Sequence, residues 1–344
     1  MSLPDLIDTE AELDEVMTRP TAALTAFVRT VEGPLVVLGA GGKMGPSLCV
    51  QARRAAEAAG HDLDVIAISR FTNPAMRERL EARGVQTLAC DLMDRAALAG
   101  LPDAANVIYL VGLKFGTQQD PARTWAVNTL IPALVAERYA RSRLVALSTG
   151  NVYPLVPVAS GGSVETDALT PLGEYANACV ARERIFQFYS ERHATPIALI
   201  RLNYALDLRY GILVDIAQKI LAGQAIDVTM GYLNGIWQGD ANAMIIRALD
   251  LAASPPAPLN LTGPAVLSVR DLARRLGALM DCPVQVTGTE AGTALLSNPA
   301  RACAALGIPP TPLDTVLRWT AHWIRHGRPT LNKPTHFDAR DGRY

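Results

Sequence analysis

The chain is predicted to be an α/β protein, a doubly wound parallel sheet followed by a smaller, mostly helical C-terminal lobe, and three observations predict it. Between about residues 34 and 202, short β-branched apolar runs alternate with longer alanine- and arginine-rich stretches of helical period, which is the pattern of repeated βαβ units. These runs are apolar on both faces, as strands are when helices cover the sheet on either side. The first run feeds straight into a glycine-rich turn and then a helix.

Taken in order, residues 1–33 form an acidic helical extension. Strands follow at Leu35–Leu38, Asp64–Ser69, Val85–Ala89, Val107–Val111, Leu144–Leu147 and Ile197–Leu202, each short and apolar. Between them lie helices at Pro46–Ala59, closed by Gly60, at Pro74–Arg83, closed by Gly84, at Arg123–Ala140 and at about Glu174–Arg192. After residue 203 the alternation loosens into helices at about Ile212–Ala222, Asp240–Ala252, Val269–Met280 and Leu313–His326. Turns such as Ser254-Pro255-Pro256-Ala257-Pro258 separate them. This divides the chain into the extension, a sheet domain over 34–202, a helical lobe over 203–327 and a polar, loosely held tail over 328–344.

The 344 residues are 49% hydrophobic and 19% charged, enough apolar material for one large or two smaller folded domains. With 32 basic against 33 acidic side chains there is no basic field for a polyanion, which counts against general nucleic-acid or anionic-membrane binding and leaves room only for local basic sites. No run reaches the ~18 apolar residues of a spanning helix. Asp5, Asp8, Glu10, Glu12, Asp14 and Glu15 make the amino end too acidic for a signal or transit peptide, so a cytoplasmic location is expected. Cys49, Cys90, Cys179, Cys282 and Cys303 lie far apart and are odd in number, which suits free thiols in a reduced compartment and gives no metal site.

The strongest chemical signal is the segment from Pro34 through Gly39, Gly41, Gly42, Lys43, Met44 and Gly45 to Pro46. A glycine turn between strand and helix lets backbone N–H groups and the helix dipole meet a pyrophosphate, so 34–202 is read as a dinucleotide-binding domain. An acidic residue at the end of the second strand would accept hydrogen bonds from an adenosine ribose. Here Ser69-Arg70 stands there, and with Lys43 it suits the extra 2′-phosphate of NADP, with NAD as the alternative.

Further motifs follow: Asp91-Leu92-Met93-Asp94 after the third strand, Val107 to Lys114 along the fourth, Asn128 in the long helix, Leu147-Ser148-Thr149-Gly150-Asn151-Val152-Tyr153-Pro154 after the fifth, and Tyr175 opening the next helix. Together with the glycine turn they resemble the extended short-chain dehydrogenase/reductase family of NAD(P)-dependent sugar epimerases, dehydratases and reductases, from about residue 34 to 326. The resemblance implies a Rossmann sheet, a small-molecule substrate and a homodimer through the helices at Arg123–Ala140 and Glu174–Arg192. It also implies that Asp91 and Leu92 meet the adenine, that Asn128 belongs to the cofactor site, and that Lys114 lies near the cofactor phosphates or the substrate. Thr149 would bond the reacting oxygen and Tyr175 would be the general acid/base.

The chain departs from the family pattern one helical turn past that tyrosine, where Tyr175-Ala-Asn-Ala-Cys179 puts a thiol in place of a lysine. A phenol of pKa about 10 is a poor base at neutral pH without a nearby cation. Three readings stand. Lys114 or Arg182 supplies the charge, or Tyr175 stays protonated and acts only as an acid, or the protein binds a dinucleotide without redox chemistry. On the substrate side Asn203 stands one place early and the segment Gly231–Asp240 has no arginine for a diphosphate, which puts a smaller, less charged substrate at least level with a nucleotide sugar. Gly150-Asn151, where a dehydratase carries Asp-Glu, argues against water elimination. Asn151, Asn203, Tyr204, Trp237 and Gln238 are the candidate substrate contacts. The expected function is an NAD(P)-dependent oxidoreductase acting on a polar carbonyl or hydroxyl compound, with a nucleotide-sugar epimerase or a non-catalytic dinucleotide binder as alternatives.

Overall fold

The computed structural model describes residues 3–114, 116–117, 119–333 and 335–342. Its centre is a seven-stranded, wholly parallel sheet of β1 (Leu35–Leu38), β2 (Val65–Ser69), β3 (Gln86–Ala89), β4 (Asn106–Tyr109), β5 (Arg143–Thr149), β6 (Ile197–Leu202) and β7 (Ala257–Leu261). The spatial order is β7-β6-β5-β4-β1-β2-β3. The strand order reverses between β1 and β4, so the loops leaving those two strands diverge and open a crevice at their carboxyl ends.

Alternation along β1 shows why the sheet needs cover on both faces. Leu35 and Val37 enter one core with Leu48, Ala52 and Ile245, whereas Val36 and Leu38 enter another with Tyr109, Val135 and Phe186. The first face is covered by α2 (Ala22–Val28), α3 (Gly45–Ala59) and α9 (Gln238–Arg247), the second by α6 (Pro121–Arg138) and α7 (Gly173–His193). Short helices α4 (Pro74–Glu81) and α5 (Arg95–Ala99) complete the crossovers. Gly60 closes α3 in the left-handed region at φ 62, where a glycine carries no Cβ penalty.

A third core builds the other lobe from α8 (Ile212–Leu221), α10 (Val269–Met280) and α12 (Leu313–Arg325), around Trp237, Trp319 and Trp323. Among the described residues no helix is long and apolar enough to cross a membrane.

Three expectations change. The proline-rich turn at 254–258 leads into β7, which pairs with β6 at the sheet edge. A proline is tolerated there because an edge strand need not donate every ladder bond, and Pro258 with Asn260 hides the strand from an apolar-run reading. The helical lobe is therefore interrupted: the chain returns to the sheet, and α9 and α11 (Ala300–Leu306) pack against the sheet domain. The amino-terminal helices α1 (Glu10–Met17) and α2 are no appendage, since Leu13 and Met17 lie in the tryptophan core and Leu24 and Val28 in the sheet core. Nor are the described residues of the tail all loosely held, because Thr335 and Phe337 are buried.

Candidate active site

At the crevice, the turn after β1 is shaped by contacts that forbid side chains. Gly39 sits at φ +82 with its N–H donated to Ile68 O at 2.9 Å, and a Cβ there would meet Val111 Cγ2 at 2.9 Å. A Cβ on Gly41 would lie 2.5 Å from Ser69 Oγ, and one on Gly45 would be driven into the carbonyl of Ala40. Gly42 is exposed, with its N–H donated to Gly39 O at 3.0 Å. Helix α3 then begins after Met44 with no side-chain cap and with a proline in its first turn. Its amino-terminal N–H groups and dipole thus face the crevice without a side-chain acceptor, an arrangement that fits a diphosphate.

Around this turn the predicted cofactor residues separate. Lys43 reaches across the crevice, donating from Nζ to Ala205 O at 2.8 Å and lying 4.5 Å from the centre of the Tyr210 ring. Burial pushes its ammonium down to about 8, while Asp207 acts in the opposite direction. Ser69 packs beneath Gly41, and Arg70 is exposed beyond the end of β2, on the other side of β1 from Ala205. The expected trio of Lys43, Ser69 and Arg70 around one phosphate is therefore not formed, because the lysine is committed to the β6 side. Asp91 is exposed after β3, with Oδ1 accepting from Met93 N at 3.0 Å, and Leu92 is buried.

The residues expected at the reacting oxygen come from β5 and α7. Thr149 ends β5, Tyr175 stands in the first turn of α7, and the Tyr175 hydroxyl shares hydrogen bonds with the side chains of Thr149 and Cys179. Burial holds the phenol well above its ordinary value; Cys179 adds to that, and Arg182 opposes it. Burial likewise raises the Cys179 thiol, with Arg182 and Lys114 acting against it. Lys114 is itself lowered to about 8 by burial, with Cys179 acting the other way. Two cations from different elements thus lie within electrostatic reach of the thiol that follows Tyr175 by one turn.

Asn128 is buried and serves the loop that carries Lys114. Its Nδ2 donates to Leu113 O at 3.1 Å and to Thr124 O at 2.8 Å, while Oδ1 accepts from Leu113 N at 3.3 Å and from Arg182 Nη2. Arg182 also donates to Leu147 O at 2.8 Å, so one guanidinium links α7, α6 and β5.

Among the candidate substrate contacts, Asn151 is tied to Thr149, whose Oγ1 donates to Asn151 Oδ1 at 2.9 Å. Asn203 is buried beside it: a Cβ on Gly150 would lie 3.1 Å from Asn203 Cγ. Tyr204, at φ 41, packs against the tryptophan core, and its carbonyl accepts from Ile236 N at 3.1 Å. Trp237 and Gln238 are corrected to core positions. Trp237 stacks edge-on against Trp319 at 5.3 Å, and Gln238, also buried, donates to Ser47 Oγ of α3 at 3.0 Å.

Sequence reading missed a buried network behind the pair. Glu183, one turn past Cys179, accepts from Arg201 Nη2 at 2.7 Å and from Ser148 Oγ at 2.5 Å, and Arg201 Nη1 donates to the Tyr153 hydroxyl at 2.6 Å. A charged residue inside the otherwise apolar β6 was the available signal. Glu183→Ala is expected to cost about 3–5 kcal/mol in denaturant unfolding, because it leaves the Arg201 guanidinium buried without its carboxylate.

Among the described residues no cluster of three or more His, Cys, Asp or Glu side chains is arranged to hold a metal ion. The reversal point of a parallel sheet and the uncapped helix behind a glycine turn define a Rossmann-fold protein. The sequence profile of the NAD dependent epimerase/dehydratase family matches residues 35–206, and the chain belongs to that family. Among curated proteins none matches the chain.

Similar solved structures include the UDP-glucuronic acid 4-epimerase of Bacillus cereus in complex with NAD, 18% identical with a TM-score of 0.72, covering 86% of this chain and 97% of that one. The UDP-glucose 4-epimerase of Thermus thermophilus in complex with NAD is 18% identical, with a TM-score of 0.69 and coverage of 86% and 100%. The UDP-glucose 4-epimerase of Thermotoga maritima with UDP-glucose is 15% identical, with a TM-score of 0.69 and coverage of 86% and 99%. At these identities the likeness is one of fold.

Proposed function

We propose that this protein is a nicotinamide-dinucleotide-dependent oxidoreductase that moves a hydride to or from a polar carbonyl or hydroxyl substrate. The observation that carries the reading is the Tyr175 hydroxyl, held by Thr149 in a buried site at the carboxyl ends of the sheet strands. The backbone of Gly39, Gly41, Gly42, Met44 and Gly45 would hold the dinucleotide's diphosphate, with Asp91 and Leu92 on the adenine side. When bound, the nicotinamide supplies the hydride acceptor or donor. Tyr175 exchanges the proton at the substrate oxygen and Thr149 orients that oxygen. Lys114 and Arg182 supply positive potential, and Asn151, Asn203 and Tyr204 meet the substrate. The phenol is held protonated by burial, which favours its use as an acid, in the direction of carbonyl reduction.

Ser69-Arg70 in place of a carboxylate at the end of β2 supports NADP over NAD, although Lys43 does not join them. An epimerase that oxidises and re-reduces a nucleotide sugar is the second reading, favoured by family membership and by the three epimerases of similar fold. A homodimer through α6 and α7 fits the exposed Leu130 and Phe188 on those helices, and sedimentation of the purified chain decides it.

The deciding experiment follows nicotinamide absorbance across a panel of carbonyl compounds and polyols, and product isomers across UDP-sugars. Net cofactor conversion supports the oxidoreductase, isomerised product without it supports the epimerase, and tight dinucleotide binding without either outcome overturns both. The affinity itself is expected to depend on pH. Lys43 and Lys114 both titrate near 8, each losing a positive charge as pH rises through that value. Binding of the anionic dinucleotide should therefore weaken from pH 7 to 9 in calorimetry, and Lys114→Met should flatten the profile.

A further inference from the structure

We propose that residues 329–333 and 335–342 act as a strap that holds the loop after β5 and the start of α7 in register, which makes Arg340 and Gly342 positioning residues for Tyr175. The functional meaning of that register rests on the role proposed for Tyr175; the contacts do not. Beyond α12 the chain turns back, with Pro329 O accepting from Trp323 Nε1 at 2.9 Å. Leu331 N donates to Arg209 O at 2.8 Å just before α8, and the segment then crosses α8, where Thr335 N donates to Asp215 Oδ2 at 2.8 Å and Lys219 faces Asp338 at 3.8 Å. Phe337 is the one large apolar side chain buried among the described residues of this segment.

The strap ends beside the loop that follows β5 and at the start of α7. Arg340 donates from Nη1 to Thr293 O at 2.8 Å and from Nη2 to Thr293 Oγ1 at 2.7 Å. Thr293 and Ala294 pair antiparallel with Val156 and Pro157, on the loop that leaves Thr149. Two residues past Arg340, Gly342 meets Leu172 and Gly173 backbone to backbone, two residues before Tyr175.

That second contact is specified from both sides. Gly173 is at φ +81 and Gly342 at φ +75, and a Cβ on either would be driven into the other's backbone, into the carbonyl of Gly342 or of Leu172. Helix α7 also begins after Leu172 without a side-chain cap, and within the helix Asn177 Nδ2 donates to Gly173 O at 2.9 Å, so its amino-terminal N–H groups lack a side-chain acceptor at the cap. Two glycines in the left-handed region where two segments touch by backbone alone are what a built docking contact requires. With a single buried aromatic and otherwise polar anchors, the strap is separable from the core, so it should be replaceable from outside.

The test compares amide hydrogen exchange in the full chain, in a chain lacking 329–344, and in Gly342→Val. The amides of Asn177, Ala178 and Cys179, which close the first turn of α7, should exchange at least about tenfold faster in both variants, with α3 and α6 unchanged. A synthetic peptide of residues 329–344 added to the shortened chain should restore protection. Gly161→Ala is the control, since Gly161 has a similar φ of +76 but nothing within 4 Å of an added Cβ, and it should leave these amides unchanged. Unaltered exchange at 177–179 in Gly342→Val, or an equal change in the control, overturns the strap. Dinucleotide affinity, measured alongside, reports separately on the proposed function: its absence from the full chain would remove that reading while the exchange result still stands or falls alone.

Discussion

Tyr175→Phe is expected to lower hydride transfer by at least about 10²-fold while leaving the dinucleotide dissociation constant within about twofold, as removal of a positioned general acid does. The substitution deletes one oxygen from a buried ring, so packing in the small core with Val152, Tyr153 and Cys179 is kept. What is lost is the proton that Thr149 and Cys179 hold in place. Stopped-flow absorbance and calorimetry on the same protein separate the two quantities, and equal turnover in both proteins would take Tyr175 out of the mechanism. Cys179→Lys gives the opposite sign on one property: a cation one turn along α7 should lower the phenol's pKa and shift the rate profile toward lower pH in the oxidation direction. Because Lys114 and Arg182 already place positive charge beside Cys179, the shift should be small.

The fold was legible where periodicity and punctuation agree. The apolar runs at 35–38 and 197–202 are strands with the bounds that the pattern assigns, and Gly60 and Gly84 both adopt the positive φ expected past a helix end. β7 was not legible, because an edge strand with a proline and a buried asparagine lacks a continuous apolar run; Asn260 is satisfied instead by Ser163 O and Asn298 O. For the site, local segments were informative and long-range pairings were not. The glycine turn is read from the strand before it and the helix after it, whereas Thr149 and Tyr175 were singled out by the family resemblance. That Lys43 would cross to Ala205, or that Trp237 would meet Trp319, depends on how residues separated by 162 and by 82 positions fold together, which no local pattern records. The tail misled for the same reason: its polarity suggests solvent, yet its polar groups are paired with Asp215 and Thr293.

Gly45→Val is expected to weaken dinucleotide binding by at least about 100-fold, about 2.7 kcal/mol, and to do so through space alone. Gly45 does not occupy the left-handed region, so a side chain is not forbidden there by its backbone angles. The obstacle is Ala40, whose carbonyl and Cα lie where the Cβ must go, and because these are backbone atoms no side chain can swing aside to make room. Either the turn or the first turn of α3 must move, and the N–H groups that converge on the diphosphate position move with it. The neighbouring glycines calibrate the effect. Gly42→Ala puts a Cβ 3.3 Å from Gly39 O, a displacement of a few tenths of an ångström, and should weaken binding severalfold at most. Gly60→Ala, at φ +62 with nothing within 4 Å, should lower stability and leave affinity unchanged. Calorimetric titration of the three variants with NAD and NADP should therefore rank them Gly45, Gly42, Gly60 for both cofactors. Equal affinity in Gly45→Val and the unaltered chain would show that this turn does not hold the diphosphate.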